Sequence, residues 1–294
     1  MSGHAFEIDL AAVRRSFDRA AATYDEAAVL QAEVRSQLLG RLDYVTLEPE
    51  VILDVGCGTG HSARALTDRY PHAQVIALDL AEGMLSEALR QQSDAMPFAR
   101  VCGDAMRLPL AAASVDLVFS NLTLQWCPDL DAAFGEFRRV LRPRGLVNFT
   151  TFGPDTLVEL RAAWARADGF PHVSRFADMH DIGDGLVRSG LAEPVMDVER
   201  FTLTYPDVFG LMRDLKAIGA HNAAAHRPRG MTGRGRLRAM ETAYEAERRD
   251  GVLPATYEVV FGQAWGPAGE PARGRRSGEF TFDASGIGFR QTGP

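Results

Sequence analysis

The run Asp54-Val-Gly-Cys-Gly-Thr-Gly60 closes the apolar segment Val51–Val55 and reads as a turn made to bring a ligand against bare backbone. Glycines where a strand passes into a helix let a ligand approach closely, in dihedrals that only glycine adopts at little cost. The glycines alone fit two ligand classes. Gly58-Thr-Gly60-His-Ser-Ala63 also satisfies the dinucleotide pattern G-x-G-x-x-A, with Asp79 at a suitable distance downstream. Asp54 separates the two. A carboxylate at the mouth of this turn repels a pyrophosphate but suits a ligand that carries an ammonium and a sulfonium.

Such a ligand is S-adenosylmethionine, and further polar groups stand where it would need them. Asp54 can hold the methionine ammonium, directly or through water. Asp79 ends a second apolar run, where a carboxylate can accept both ribose hydroxyls. Asp104, in Cys102-Gly-Asp-Ala105, follows a third run and can accept the adenine amine. Asn121 ends a fourth, and its amide or backbone carbonyl can reach the methionine portion. Leu80 and Met84 are apolar candidates for the adenine face. Gly56, Cys57, Gly58 and Gly60 in the turn, with Ala105 beside Asp104, complete the candidate cofactor set. Each acid taken singly also reads as an N-cap or a turn residue; their recurrence at consecutive strand ends is what points to one ligand. Cys57 lacks a recognisable base and reads as a small residue in a tight turn. The seven histidines show no HxxxH or HxH spacing with acids, so no metal site is expected.

These residues need a scaffold, and the hydrophobic pattern supplies one. Leu10, Val13, Phe17, Ala20/Ala21 and Tyr24, then Leu30, Val34, Leu38 and Leu42, predict one or two amphipathic helices ahead of the first strand. Strands at Val51–Val55, Gln74–Asp79, Phe98–Cys102 and Val115–Ser120 alternate with helices over roughly 61–70 and 82–92. A helix from Leu130 to Leu141 and the turn Arg142-Pro-Arg-Gly145 lead into a strand at Leu146–Phe152. Helices near 155–167 and 178–189, a strand at Val195–Tyr205, two helices near 206–219 and 233–249, and a last strand at Thr256–Trp265 follow. The alternation implies an α/β fold, a Rossmann-like, seven-stranded, mostly parallel sheet with helices on both faces. The organisation read from it is an N-terminal helical cap (1–48), a catalytic domain (49–265) with a helical lid inserted at about 206–250, and a Gly/Pro/Ser/Arg-rich tail (266–294) expected to be loose.

The 294-residue chain carries a net charge of -7, which argues against general nucleic-acid binding. No apolar run approaches membrane-spanning length, and no signal segment opens the chain. Three cysteines without pairing pattern fit a reducing compartment, so the expected location is cytoplasmic.

The glycine turn with its acids resembles motif I of class I methyltransferases over roughly residues 50–152. Other blocks narrow the resemblance. Phe17-Asp-Arg-Ala-Ala-Ala-Thr-Tyr24 with Leu30-Gln31, Ser120-Asn-Leu-Thr-Leu-Gln-Trp126, Phe149-Thr-Thr-Phe-Gly-Pro-Asp-Thr-Leu-Val-Glu-Leu160, Leu215-Lys-Ala-Ile-Gly-Ala220 and Leu253-Pro-Ala-Thr-Tyr257 resemble the biotin-pathway methyltransferases that esterify malonyl-acyl carrier protein. A mitochondrial assembly factor reported as a protein arginine hydroxylase shares part of this pattern, so a SAM-binding assembly factor or hydroxylase is one alternative. Another small-acid O-methyltransferase, of the trans-aconitate type, is a second.

The resemblance implies transfer of a methyl group from S-adenosylmethionine to the free carboxylate of malonyl-acyl carrier protein or malonyl-CoA, leaving S-adenosylhomocysteine. The ester would then be elongated toward pimeloyl, the biotin precursor. It places Tyr24 near the methyl donor, as a residue that closes the pocket; otherwise Tyr24 is a helix residue facing the core. Gln125 and Trp126 would face the reacting methyl, Trp126 reading alternatively as a core aromatic. No general base is expected, because a carboxylate of pKa roughly 4 is already ionised at neutral pH. An acidic carrier needs a basic landing site on this acidic chain. Arg227, Arg229, Arg234, Arg236 and Arg238 form one cluster, in the expected lid, with Arg234 and Arg236 the chosen substrate-binding candidates. Arg138, Arg139, Arg142 and Arg144 form a second; either reads equally well as a solvated face.

Overall fold

The computed structural model describes residues 8–92, 97–220 and 233–268. Three helices, Leu10–Ala20 (α1), Tyr24–Ala27 (α2) and Val29–Arg41 (α3), precede the first strand. The Thr23 amide and hydroxyl both turn back to the Ala20 carbonyl, which ends α1 and lets Tyr24 open a separate turn. Then follow Val51–Val55 (β1), His61–Arg69 (α4), Gln74–Asp79 (β2), Glu82–Arg90 (α5), Ala99–Cys102 (β3), Val115–Ser120 (β4), Leu130–Val140 (α6) and Leu141–Phe152 (β5). The chain continues through Val158–Ala167 (α7), Met179–Arg188 (α8), Ala192–Tyr205 (β6), Val208–Ala217 (α9), Arg234–Glu245 (α10) and Leu253–Trp265 (β7).

The sheet has seven strands in the order β3-β2-β1-β4-β5-β7-β6. β1 to β5 run parallel, and β7 lies antiparallel between β5 and β6. This is the mostly parallel, two-sided α/β sheet that the alternation implied. Buried parallel strands are apolar on both faces, and β1 is an instance. Ile52 packs toward the layer containing α3, α4 and α7, whereas Leu53 and Val55 pack toward α6 and α8. By the same alternation the Asp54 side chain projects to the α3 and α4 side.

Two boundaries differ from the pattern-based expectation for a physical reason. β5 starts at Leu141, which pairs with Val115, and the expected turn at 142–145 is a register shift inside the strand. Arg144, at φ 61°, donates its amide to Gly266, and the Gly266 amide returns to Gly145, so the end of β7 satisfies the distorted segment. β6 is longer than the apolar pattern indicated because its backbone pairs with β7 from Ala192 to Tyr205 although none of its side chains is fully buried, and β7 reaches back to Leu253 through the same ladder. Among the described residues no helix is long and apolar enough to cross a membrane.

Candidate active site

The chain leaves β1 for β2 and β3 on one side, then returns to β4 on the other. At that switch point the carboxyl ends of the strands leave a crevice, the usual ligand site of such sheets. Here it is a long cleft lined by Tyr24, Gly56, Gly58, Asp79, Leu80, Met84, Asp104, Ala105, Asn121, Gln125 and Trp126. A second cavity shares Tyr24, Gly56, Gly58 and Asn121 with it and adds Cys57, Arg35 and His61. Eleven and one of the sequence-chosen residues are thus brought together around the glycine turn. Asp54, Gly60, Arg234 and Arg236 line neither space.

The turn is fastened to β2. The amides of Gly56 and Cys57 both donate to the Leu78 carbonyl, and the Gly58 amide donates to Asp79 Oδ2 at 2.9 Å. Gly56 has φ 71°, and a Cβ there would lie 2.0 Å from Thr123 Oγ1. Only glycine fits.

Asp79 Oδ1 accepts the Ala81 amide at 2.8 Å, so each carboxylate oxygen has one protein donor and keeps a lone pair for a ligand hydroxyl. Burial pushes its pKa up to about 6, the Ala81 and Gly58 amides oppose that, and the Asp18 charge adds to it. Asp104 Oδ1 accepts the Met106 amide and lines the cleft next to Ala105. Met84, 1 % exposed, packs with Ala21, Ala81, Phe17 and Tyr24. An adenosine with its ribose diol fits this end.

Asp54 lies beneath the turn, buried, and neither carboxyl oxygen has a hydrogen-bond partner among the described residues. Burial, then the Asp79 charge, push its pKa up to about 8, against Arg35 and the Ala63 amide. Arg35, on α3, lines the second cavity and makes no hydrogen bond or close ion pair with a described residue. Its charge acts on Tyr24, Asp25 and Asp54. A carboxyl that can ionise and a guanidinium, both without a hydrogen-bond partner among the described residues, stand beside the turn and match the ammonium and carboxylate of an amino-acid end. S-adenosylmethionine therefore fits both halves of the space.

The helical cap is latched over these cavities. Asp18 Oδ1 accepts the Gly83 amide, and Asp25 accepts from the Thr59 hydroxyl and from Gln91. Phe17 stacks edge-on against Trp126 with centroids 5.4 Å apart and lies 6.5 Å from Tyr24. Burial, then the charges of Asp79 and Asp25, raise the Tyr24 pKa, so its hydroxyl stays protonated. Asn121 donates to the Gln31 carbonyl and accepts from the Thr150 hydroxyl, while Gln125 donates to the Leu122 carbonyl. Both amides are held by protein; the Asn121 backbone carbonyl meets the Thr123 hydroxyl at 3.3 Å and keeps a second lone pair for a ligand. Cys57 is buried, and burial raises its pKa, which makes it a poor nucleophile.

Away from the turn the cleft continues between Phe152, Leu157, Leu160, Phe176, Leu215 and Tyr257. Arg234 and Arg236 sit exposed on α10, and Arg236 lies 3.5 Å from Asp168. Arg227 and Arg229 fall outside the described residues. In the second cluster, Arg139 pairs with Glu136 and Arg142 with Asp116 and Glu50, so these two charges are already engaged. Arg35, Phe17, Thr123 and His172 line the cavities although none of them was a candidate site residue, Phe17 and Thr123 having stood out only within longer blocks. The four-residue spacing of Asp168 and His172 was the one sequence signal available for the last.

Comparison with known proteins places this geometry. A family model described as a methyltransferase domain matches residues 53–149. A malonyl-[acyl-carrier protein] O-methyltransferase from Methylovorus sp. (strain MP688) is 60% identical over 91% of this chain and 92% of its own length. Among solved structures, a candidate methyltransferase from Bacillus halodurans superposes with TM-score 0.56 at 19% identity, over 79% of this chain and 98% of that one. A Haemonchus contortus phosphoethanolamine N-methyltransferase 2 in complex with S-adenosyl-L-methionine gives TM-score 0.51 at 18% identity, over 85% of this chain and 57% of that one.

Proposed function

The chain belongs to the malonyl-[acyl-carrier protein] O-methyltransferase family, and from that membership we infer that it methylates the free carboxylate of malonyl-acyl carrier protein at the expense of S-adenosylmethionine. It is an O-methyltransferase. The ester masks the charged end of the malonyl group, so that chain elongation can proceed toward pimeloyl and biotin.

One observation carries the reading: the turn with its acids and the apolar extension past Gln125 and Trp126 form a single cleft. A thin thioester-linked acyl arm can enter from the apolar end and meet the cofactor at Tyr24 and Trp126. Bound at the turn, S-adenosylmethionine would supply a sulfonium methyl, and an ionised carboxylate oxygen attacking that carbon in line would take it as the S–CH3 bond breaks and S-adenosylhomocysteine leaves. The carboxylate needs no base. The protein's work is then alignment, worth up to about 7–11 kcal/mol, and exclusion of water. We assign Asp79, Leu80, Met84, Asp104 and Ala105 to the adenosine, and Asp54, Arg35, the Gly56–Gly60 backbone and the Asn121 carbonyl to the methionine end. Tyr24, Phe17, Gln125 and Trp126 shape the space where the methyl is passed. Helices α9 and α10 serve as the lid, and the α10 arginines receive the carrier. Three unpaired cysteines and a carrier-protein substrate support a cytoplasmic setting.

The test is transfer of label from methyl-labelled S-adenosylmethionine to malonyl-acyl carrier protein, with acetyl-acyl carrier protein as the control that lacks a carboxylate. Base-labile methyl ester on the malonyl form alone is the expected result. Ester on neither sinks the reading.

A further inference from the structure

The carboxylate that is methylated enters a cleft whose charged lining is acidic. Asp79, Asp104 and Asp214 line it, and among the described residues no arginine or lysine does. An anionic acyl group gains nothing from such walls unless a cation meets it. His172 is the described lining residue that can become one.

His172 is also held as a working imidazole would be. Its Nε2 lies 2.9 Å and 3.1 Å from the two oxygens of Asp168, and both side chains are largely buried, at 15% and 8% exposure. Asp168 further accepts the Phe170 amide and faces Arg236, so its carboxylate is fixed from three sides. One face of the ring stacks on Trp164, with centroids 3.7 Å apart and planes at 11°. That contact locks the plane of the ring. With Nε2 taken by the acid and one face by the indole, the ring has its Nδ1 edge and its other face to offer the cleft.

We propose that His172, oriented by Asp168 and Trp164, receives the free carboxylate of the malonyl thioester, an assignment that rests on the carboxyl-methylation reading above. The imidazolium donates from Nδ1 to the carboxylate oxygen that is not attacking, and Asp168 is a positioning residue. Methyl transfer cancels the carboxylate's charge, so the attraction is strongest for the substrate and largely lost in the ester. The contact therefore governs substrate binding and product release more than the barrier itself.

Steady-state methylation of malonyl-acyl carrier protein by the full-length chain tests this. His172→Asn is expected to raise KM for the acyl substrate by roughly 10- to 100-fold, the usual range for a lost charged hydrogen bond, with kcat changed by less than about threefold. Affinity for S-adenosylhomocysteine stays at the wild-type value. His172→Lys recovers part of the KM because it restores a cation. His172→Phe keeps the stack on Trp164 but not the charge, and stays impaired. A wild-type KM in His172→Asn, or full rescue by His172→Phe, overturns the proposal. Failure of the native chain to esterify malonyl-acyl carrier protein overturns the reading of function instead, and the assignment with it.

Discussion

Asp79 Oδ2 accepts the Gly58 amide at 2.9 Å across the ends of two neighbouring strands, so the carboxylate assigned to the ribose also holds the glycine turn in place. One residue thus sets both the shape of the turn and the diol site. Asp79→Asn keeps the size but replaces an acceptor oxygen by a donor, which opposes the Gly58 or Ala81 amide and offers one fewer acceptor to the ligand. The expected result is a loss in S-adenosylhomocysteine affinity of roughly 10- to 100-fold, measured by calorimetry, together with a lowered Tm. An unchanged affinity would remove Asp79 from the cofactor site.

Gly56→Ala brings a methyl group to 2.0 Å from Thr123 Oγ1, at a φ of 71° that alanine adopts only with strain. Thr123 cannot simply withdraw, since its hydroxyl donates to the Val55 carbonyl at 3.2 Å. The turn must move, and cofactor binding is expected to be lost while the sheet persists. Thr123→Ala in the same chain removes the two closest atoms but leaves Cβ of residue 123 at 2.7 Å and the strain at residue 56, so it restores binding only in part. Full binding by the single Gly56→Ala variant, measured by calorimetry, would contradict the rigid turn described here.

The parts of the site that were legible in the sequence share a physical origin. Buried parallel strands are near-continuous apolar runs, so the polar residue that ends each one stands out. Asp79, Asp104 and Asn121 were visible for that reason, and all three line the cleft. Arg35 and His172 were not. Arg35 sits on the face of α3 that meets the turn only after the chain folds back, and a helical arginine ordinarily reads as a solvated charge. His172 and Asp168 meet in the connection between α7 and α8, where no periodic pattern constrains the chain. The break after α1 was hidden too, because Ala20 to Tyr24 continue a helical pattern that only the turn of Thr23 back to Ala20 interrupts.

Arg35→Ala distinguishes the two ends of the cofactor site. The guanidinium lines the cavity on the methionine side and has no bonded partner among the described residues to compensate for its removal. S-adenosylhomocysteine, which carries the amino-acid carboxylate, is expected to bind roughly 10- to 100-fold more weakly. Methylthioadenosine, which lacks that end, is expected to bind as it does to the wild type. Equal losses for both ligands would mean that Arg35 supports the fold of the site rather than the carboxylate.

The α10 arginines are a separable surface. Arg234 and Arg236 are exposed, and neither lines the cleft. Because Arg236 also faces Asp168, the test spares it: reversing Arg234 and Arg238, both exposed and outside the cleft, to glutamate should leave the fold and the turnover of malonyl-CoA little changed. It should raise KM for the carrier-linked substrate by roughly tenfold at low salt, with the difference fading as salt is added. If KM for the carrier-linked substrate does not move, α10 is not the landing site.

Asp54 ties cofactor binding to a proton. Burial and the charge of Asp79 push its pKa up to about 8, so at pH 7 the free protein holds it mostly protonated. In the unfolded chain the same carboxyl ionises near its ordinary value, about 3.9. Between those two values the native state therefore binds more protons than the unfolded one, and the Asp54 contribution to stability falls as pH rises through that window. An ammonium placed beside the carboxyl favours the charged form and lowers its pKa, so binding expels the proton. The cofactor's affinity should accordingly rise with pH up to about 8 and then level off. Calorimetric titration with S-adenosylhomocysteine at pH 7, in two buffers of different ionisation enthalpy, should register release of about one proton. Asp54→Asn, which cannot ionise, should abolish both the buffer dependence and this limb of the pH profile. Binding heats that do not depend on the buffer would show that the Asp54 carboxyl does not change charge when the ligand binds, and that the ammonium is held elsewhere.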